Sequence, residues 1–386
     1  METKRVIIRD AAHPKEEELR EAAQILQQGG LVAFPTETVY GLGGNALDET
    51  AAKRIYAAKG RPSDNPLIAH ISSMEELLPL VSRIPEAGRR LAERFWPGPL
   101  TMIFPKSEQV PFSTTGGLDT VAVRMPSDPV AMKLIRMAGV PVAAPSANTS
   151  GRPSPTTADH VWEDLNGKIE MIVDGGAVGI GVESTIVDVT GPVPVILRPG
   201  FITLEMLQEM FDQVKIDPAI LGPMADGVRP KAPGMKYKHY APLGQLTLVE
   251  LKEETKKALH TPGSSQWQEV EEAAQKRGIS LEHADLESIY MALQTDKLAA
   301  EKEKQGAKTG VICTEETEKF YETKLKGRIG QRAQADTVAH NLYRVLRDFD
   351  DLQVEYIYSE SFAGDHLGQA IMNRLNKAAG YHIIYV

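Results

Sequence analysis

The sequence has one cysteine, Cys313, among its 386 residues. A single cysteine excludes an internal disulfide and a cysteine-based zinc cluster, so we expect Cys313 to be a small buried apolar residue. Apolar runs of eighteen residues or more are also lacking, and we therefore expect no membrane span. The first ten residues, METKRVIIRD, hold too short an apolar run for a signal peptide, which favours a cytoplasmic protein.

Positive charge is in deficit, since the formal net charge is -9. This balance argues against broad non-specific binding of nucleic acid, although it is compatible with a local basic cleft. The common nucleotide motifs G-x-x-x-x-G-K-[ST] and G-x-G-x-x-G are missing, as are the kinase set and the HExxH helix. A nucleotide site in this chain must therefore be of another kind.

Strands and helices alternate along residues 1–211, which predicts an α/β domain with a mixed sheet. Asp48 and Ser73 are predicted helix N-caps, and Gly60 a predicted helix end. The predicted strands are 31–34, 66–71, 100–104, 120–125, 140–144, 171–173, 185–189 and 195–198. The predicted helices are 15–28, 49–58, 74–78, 85–95, 129–138 and 157–165.

Residues 212–244 are rich in proline and glycine, which is typical of an inter-domain linker. A smaller α/β pattern follows over residues 245–386. Its predicted strands are 246–251, 310–313, 355–358 and 382–385, and its predicted helices are 266–277, 288–302, 333–349 and 369–378.

Polar residues concentrate where predicted strands and helices end, in positions that often bind ligands. The segments are PTETVYGLG (35–43), KGRPSDNPLIAH (59–70), DTVAVRMP (119–126), APSANTSGRPSPT (144–156), GVESTIVD (181–188) and ILRPG (196–200). Their hydroxyls, glycines and cations suit a polyphosphate or a carboxylate. The residues alone predict a basic, hydroxyl-rich cleft for an anionic small molecule.

Each segment also has a plain structural interpretation. The threonines of residues 35–43 can cap a turn, and Lys59 and Arg61 can cap a helix C-terminus. His70 can be structural, and Arg124 can be a solvated strand-end charge. The loop 144–156 can simply face solvent, while the segments around Ser184 and Arg198 can form ordinary turns.

Taken together and in order, PTETVYGLG, KGRPSDNPL, SAN, GVEST and LRPG resemble the YrdC-like family of threonylcarbamoyl-AMP synthases. The family pattern Lys-x-Arg with a later Ser-x-Asn is met by Lys59, Arg61, Ser146 and Asn148. The linker segment APGMKYKHYAP (232–242) resembles the longer, two-domain form. The resemblance implies a twisted open α/β catalytic domain with a large basic cavity at 1–211, a linker at 212–244 that folds over the active site, and a C-terminal α/β domain at 245–386.

The resemblance also implies a role for individual residues. Lys59 and Arg61 are the implied catalytic residues, supported by Thr36 and Asn148. The implied L-threonine site consists of Thr38, His70, Arg124, Ala144 and Ser184. The implied ATP site consists of Arg61, Asn65, Thr120, Ser146, Ser154, Arg198 and Tyr237. Arg124 suits a carboxylate because its guanidinium presents a fork of donors, and no protein metal site is implied.

The implied reaction joins L-threonine, bicarbonate and ATP into threonylcarbamoyl-AMP and pyrophosphate, with Mg²⁺ on the ATP. A partner enzyme then uses the product to modify adenosine 37 of tRNA, and whether RNA also touches this chain stays open. One alternative is a double-stranded-RNA-binding module without catalysis, which the acidic net charge disfavours. Another is a carbamoyl transferase of hydrogenase maturation, which the single cysteine disfavours. A purely structural α/β protein leaves the clustered hydroxyls and arginines unexplained.

Overall fold

The computed structural model describes residues 2–220, 222, 230–233, 239–282 and 284–386. The chain divides into two compact units, one of residues 1–239 with 365–373 and one of residues 240–364 with 374–386. None of the described helices is both long and apolar enough to cross a lipid bilayer. The finer division at residues 211 and 244 stays a prediction.

The first unit is built on a mixed sheet of eleven strands. The strands are β1 (Lys4–Ile7), β2 (Val32–Phe34), β3 (Gly41–Asn45), β4 (Ile68–His70), β5 (Leu100–Pro105), β6 (Thr120–Arg124), β7 (Val142–Ala143), β8 (Met171–Asp174), β9 (Thr185–Asp188), β10 (Val195–Arg198) and β11 (Lys215–Ile216). Their order across the sheet is β1-β8-β2-β3-β7-β4-β6-β5-β9-β10-β11. The helices are α1 (Glu16–Gln27), α2 (Glu49–Lys59), α3 (Glu86–Phe95), α4 (Pro129–Ala138), α5 (Ala158–Leu165) and α6 (Leu204–Gln208), with 3-10 turns at Glu75–Leu77 and Pro218–Ile220.

Both faces of this sheet are buried near its β1 end. Ala33 of β2 packs in one hydrophobic cluster, whereas its neighbours Val32 and Phe34 pack in another. In β8, Ile172 belongs to the first cluster and Met171 to the second. Successive side chains of a strand point to opposite faces, so continuous apolar strands such as VAF require cover on both sides.

The second unit contains a parallel sheet of five strands, in the order β14-β13-β15-β12-β16. The strands are β12 (Gln245–Glu250), β13 (Thr309–Thr314), β14 (Lys326–Gly330), β15 (Tyr356–Glu360) and β16 (Ile383–Tyr385). The helices are α7 (Glu253–Leu259), α8 (Ser265–Lys276), α9 (Leu286–Lys304) and α10 (Ala335–Asp351), and a 3-10 turn spans Glu318–Phe320. A further helix, α11 (His366–Ala378), is divided between the units, with residues 366–373 in the first and 374–378 in the second. Cys313 of β13 is fully buried in an apolar cluster, as predicted.

The capping predictions for α2 are confirmed. The side chain of Asp48 accepts a hydrogen bond from the backbone nitrogen of Thr50, and Gly60 ends the helix in the left-handed conformation at φ 61°. The short helix predicted at 74–78 is present as a 3-10 helix over Glu75–Leu77, and the residue before it is Met74, which makes no side-chain cap hydrogen bond. Ser73 is therefore not an N-cap.

Several elements escaped prediction, namely β1, β3, β11, β14, α6 and α7. In β3 the reason is composition, because GLGGN carries three glycines and glycine is depleted in strands. Gly43 is required by packing, since a Cβ there would lie 2.7 Å from Cε1 of Phe34 and 2.8 Å from Cγ1 of Val142. The glycines of PTETVYGLG could let a ligand approach the backbone closely. At Gly43, however, the nearest neighbours are side chains of the sheet.

Candidate active site

Three neighbouring strands place one residue each at the same level of the sheet. His70 of β4 is the register partner of Arg124 of β6, and Arg124 is the register partner of Thr101 of β5. All three residues are buried. Residues directly opposite each other project from the same face, so these side chains form a row across the sheet.

Arg124 lies at the centre of this row with 4% of its surface exposed. Its Nη1 donates a hydrogen bond of 2.9 Å to Oγ1 of Thr38, and its Nε donates one of 3.4 Å to the carbonyl of Gly98. Its Nη2 lies 2.7 Å from Oε1 of Glu37 in an ion pair. The interpretation of Arg124 as a solvated charge was therefore wrong, because polar groups of Thr38, Gly98 and Glu37 enclose the guanidinium. We call the cluster formed by these groups, His70 and Thr101 the Arg124 pocket.

The loop between β2 and β3 combines a turn with a contact to Arg124. Thr36 stabilises the turn. Its hydroxyl donates a hydrogen bond of 2.7 Å to the carbonyl of Val39 and accepts hydrogen bonds from the backbone nitrogens of Thr38 and Val39. Oγ1 of Thr38 lies 2.9 Å from Oγ1 of Thr36 and also accepts from Arg124. Thr36 thus holds the turn in which Thr38 meets the guanidinium.

His70 is a neutral residue of this pocket. Its Nδ1 lies 3.1 Å from the carbonyl of Ile68, and its ring meets Phe34 edge to face at 6.5 Å between centroids. Burial, assisted by the nearby Arg124 charge, lowers the pKa of His70 to about 3. Because its pKa is so low, the imidazole is uncharged at neutral pH and can offer a ligand its shape and a hydrogen bond, but no charge.

Ser184 also belongs to the pocket. It directly precedes β9, the strand that pairs with β5. Its hydroxyl lies 2.7 Å from Oγ1 of Thr101 and accepts a hydrogen bond of 3.2 Å from Nη2 of Arg198. Nε of Arg198 donates to the carbonyl of Ser184 at 3.1 Å, and its Nη1 donates to the carbonyl of Pro233 at 3.4 Å. Arg198 therefore binds the segment before β9 and the segment 230–233 at once.

The glycine of LRPG makes this arrangement possible. A Cβ on Gly200 would lie 2.4 Å from the backbone nitrogen of Thr185 and 2.7 Å from the carbonyl oxygen of Glu183. These are backbone atoms that cannot rotate away. The LRPG and GVEST segments are thus in direct backbone contact.

A second cluster forms around Lys59 at the end of α2, where only 1% of the residue is exposed. Its Nζ donates to the carbonyls of Ser146 and Asn148, and the hydroxyl of Ser146 donates to Oδ1 of Asn148. Nδ2 of Asn148 donates to the carbonyls of Thr149 and Arg152, at 2.8 and 3.0 Å. Lys59 therefore fixes the loop 144–156, a larger role than capping its own helix.

Three further predicted residues, Ala144, Ser154 and Arg61, make hydrogen bonds to neighbouring segments. Ala144 follows β7, and its nitrogen donates 2.9 Å to the carbonyl of Ile68. The fully buried hydroxyl of Ser154 donates to Oε1 of Glu183, one residue before Ser184. Nη2 of Arg61 donates 3.1 Å to the carbonyl of Pro66.

Asn65 carries a buried amide oxygen whose hydrogen bonding is incomplete. The residue is 1% exposed, and its Oδ1 receives no hydrogen bond from any described residue. Buried polar atoms normally have a partner, so this atom fits a ligand group. Thr120 is half-buried at the far end of β6 from Arg124, beyond a loop whose Gly116 lies against Asp64. The role of Thr120 in the ATP site stays a prediction, and Tyr237 lies outside the described residues.

Sequence reasoning missed three polar residues of the pocket, namely Glu37, Thr101 and Glu183. Glu37 lies in PTETVYGLG between the predicted residues Thr36 and Thr38, and Glu183 lies in GVESTIVD beside Ser184. Thr101 was inside the strand 100–104, and only the pairing of β5 with β6 and its contact with Ser184 place it in the pocket. Among the described residues, no group of three or more His, Cys, Asp or Glu side chains could hold a metal ion.

The chain is similar to known proteins over its whole length. A protein-family model described as telomere recombination matches residues 24–200, and a model of the threonylcarbamoyl-AMP synthase C-terminal domain matches residues 202–380. The chain is 46% identical over 384 residues to threonylcarbamoyl-AMP synthase of Pyrococcus abyssi, covering 99% of both chains. It is 43% identical over 387 residues to the Bacillus subtilis synthase, covering 100% of both chains.

Among solved structures, the chain is similar to Pyrococcus abyssi Sua5 complexed with L-threonine. The TM-score is 0.83 at 44% identity, and the match covers 100% of both chains. Two family models in tandem and full-length relatives above 40% identity extend the resemblance from five short segments to the whole sequence. The chain therefore belongs to the threonylcarbamoyl-AMP synthase family.

Proposed function

We propose that this enzyme condenses L-threonine with bicarbonate and transfers the resulting carbamate to the AMP part of ATP. The amine nitrogen of threonine bonds to the carbon derived from bicarbonate, and water is released. A carbamate oxygen then bonds to the α-phosphorus as the bond to pyrophosphate breaks. The products are threonylcarbamoyl-AMP and pyrophosphate.

The observation that carries the proposal is the enclosed guanidinium of Arg124 with the Thr38 hydroxyl beside it. A buried Arg at a strand end, with a threonine hydroxyl at 2.9 Å, fits the carboxylate of a small amino acid. His70 and Ser184 provide an uncharged ring and a hydroxyl nearby, and the backbone of Ala144 borders the same strand ends. The Pyrococcus abyssi relative, whose structure holds L-threonine, supports this assignment.

The nucleotide is assigned to the second cluster and the residues around it. Lys59 and Arg61 supply positive charge for the phosphates or bicarbonate, with Asn148 and Thr36 holding the loops in place. Asn65, Thr120, Ser146, Ser154 and Arg198 complete the ATP site of this proposal. The open acceptor of Asn65 favours a donor group of the ligand.

Mg²⁺ enters the proposal on the triphosphate of ATP, where it would neutralise charge on the phosphoryl oxygens. The protein supplies no side-chain nucleophile in the proposed mechanism. Its contribution is to hold the amine, the carbon and the α-phosphate in line and to keep water away.

We assign to the linker 212–244 the role of a cover over this site. In support, Ala232 is fully buried in an apolar cluster with Ile68 and Ala122, which precede His70 and Arg124 by two residues in their strands. Residues two apart in a strand share a face, so Ala232 packs on the face that carries the pocket. Tyr237 is assigned to the nucleotide as part of this cover.

The enzyme is assigned to the cytoplasm, where its product passes to a partner enzyme that modifies adenosine 37 of tRNA. Pyrophosphate release from Mg²⁺-ATP, with threonine and bicarbonate omitted in turn, tests the reaction. Release that needs both, with threonylcarbamoyl-AMP found by mass spectrometry, is the expected result. A folded protein that releases no pyrophosphate in any mixture contradicts the proposal, and salt-sensitive RNA binding is then the function to test.

A further inference from the structure

Glu37 is a buried carboxylate with open hydrogen-bonding capacity. It stands between Thr36 and Thr38, and its side chain is 13% exposed. Both carboxylate oxygens are covered from solvent, and neither accepts a hydrogen bond from the described residues. Nη2 of Arg124 lies 2.7 Å from Oε1 in an ion pair, whereas Oε2 has no partner among the described residues and keeps its lone pairs open.

The buried Glu37 carboxylate is energetically unfavourable unless a ligand supplies hydrogen bonds to it. Burying a carboxylate without hydrogen-bond donors is strongly unfavourable. Asp128, the other carboxylate close to Arg124, already has a structural role because its Oδ1 accepts from the nitrogen of Ala131 as the N-cap of α4. Glu37 has no such role for its side chain.

The charges of Glu37 and Arg124 mirror those of an amino acid. An α-amino acid carries its ammonium and its carboxylate on one carbon, so the groups that bind them must be adjacent. Arg124 offers a fork of donors for the carboxylate, and Glu37 offers acceptors beside it. An ammonium has three N–H donors and lacks acceptors, which is the chemistry that the Glu37 oxygens require.

We propose that Glu37 binds the ammonium group of the substrate amino acid while Arg124 binds its carboxylate. The inference rests on the proposed function, since it concerns the threonine site of that reaction. It makes Glu37 the residue that selects a free α-amino acid over a hydroxy acid or an N-acylated amino acid. It also places the carboxylate of Glu37 beside the substrate nitrogen that becomes carbamoylated.

Two ligands, combined with substitutions of Glu37 and Asp128, test this assignment. L-Threonine and (R)-3-hydroxybutanoate differ by the ammonium group alone, and Glu37→Gln keeps the size of the side chain while removing its charge. Isothermal titration of the full-length protein with each ligand is the measurement. Glu37→Gln should weaken L-threonine binding by about 10- to 100-fold, in the range of a charge-assisted hydrogen bond, and leave (R)-3-hydroxybutanoate binding unchanged or tighter.

Asp128→Asn is the matched control, because it removes a neighbouring negative charge and Asn still caps a helix. We expect it to change the affinities for the two ligands by similar, small factors. Glu37→Asp keeps the charge and should retain a preference for L-threonine over the hydroxy acid, which separates the role of the charge from any loss of folding in Glu37→Gln.

Equal losses of both ligands in Glu37→Gln would overturn the inference, because Glu37 would then act only through Arg124. So would unchanged threonine affinity in that variant. In both cases the unaltered protein still forms threonylcarbamoyl-AMP, and the proposed function stands. If the unaltered protein binds no threonine and releases no pyrophosphate, the proposed function itself fails and the inference falls with it.

Discussion

Arg124 donates a hydrogen bond of 2.9 Å to the hydroxyl of Thr38, a residue 86 positions earlier in the chain. The bond ties the end of β6 to the loop after β2. Both partners are buried, and Thr38 is fully enclosed. The geometry around the Arg124 guanidinium is thus set by a contact between distant segments of the chain.

Replacing Arg124 with Lys should raise the KM for L-threonine by at least about tenfold, equivalent to about 1.4 kcal/mol. An ammonium is a point charge and cannot reproduce the fork that contacts Thr38 and a carboxylate together. The KM for ATP should stay within about twofold. Steady-state kinetics with each substrate varied in turn measures both values, and an equal rise in the two would contradict separate pockets.

Lys59→Met should reduce the turnover number for pyrophosphate release by about 100-fold or more, in the range seen when one preorganised charged donor is removed. The variant loses the contacts of Nζ with Ser146 and Asn148 as well as the positive charge. Lys53→Met is the control, because Lys53 lies on the same helix with its side chain 68% exposed. Similar activities for the two variants would exclude a catalytic role of Lys59.

Gly200→Ala should lower the free energy of unfolding by about 1–3 kcal/mol, as overpacking typically does. The added Cβ would collide with the backbone nitrogen of Thr185 at 2.4 Å. Gly191→Ala serves as the control, since a Cβ there has no heavy atom within 4 Å. Urea unfolding of the two variants side by side should show the loss in the first one only; equal stabilities would mean that the LRPG and GVEST segments can separate freely.

Acid should destabilise the protein partly through His70. The folded-state pKa is about 3 and the ordinary value is 6.5, so the unfolded chain takes up the proton first. Stability from this residue is present above pH 6.5 and is lost as the pH falls toward 3, by about 1.4 kcal/mol per pH unit. His70→Asn should flatten the stability profile in this window, and parallel profiles for variant and unaltered protein would refute the neutral buried imidazole.

Cys313 should resist alkylation in the folded protein. Burial, together with the charges of Glu360 and Glu318, raises the pKa of its thiol to about 12. Iodoacetamide at pH 8 should leave the native protein unmodified and label one thiol after unfolding in guanidinium, as intact-mass measurement can follow. Rapid labelling of the native protein would show that β13 opens on the timescale of the reaction.

Much of the fold follows from local sequence signals. The ends of α2 are determined by Asp48 and Gly60, whose capping and left-handed conformation depend on the residue type alone. β3 shows the limit, because a strand of mostly glycine exists only through its pairing with β2 and β7. Its stability comes from tertiary context, which composition does not reveal.

The candidate site divides in the same way. Arg124, Ser184 and Lys59 could be predicted because each stands in a recognisable segment. Glu37 and Thr101 could not, since their relevance arises from the partner that the fold places beside them. The sequence also left open whether Arg124 is solvated, and only the register of β4, β5 and β6 shows that it is enclosed.

The row formed by His70, Arg124 and Thr101 makes the site dependent on strand register. Neighbouring side chains in a strand face opposite ways, so deleting one residue before Arg124 within β6 would turn its guanidinium to the other face of the sheet. Insertions and deletions in this family should therefore be confined to the loops, while the lengths of β4, β5 and β6 between their paired residues stay constant.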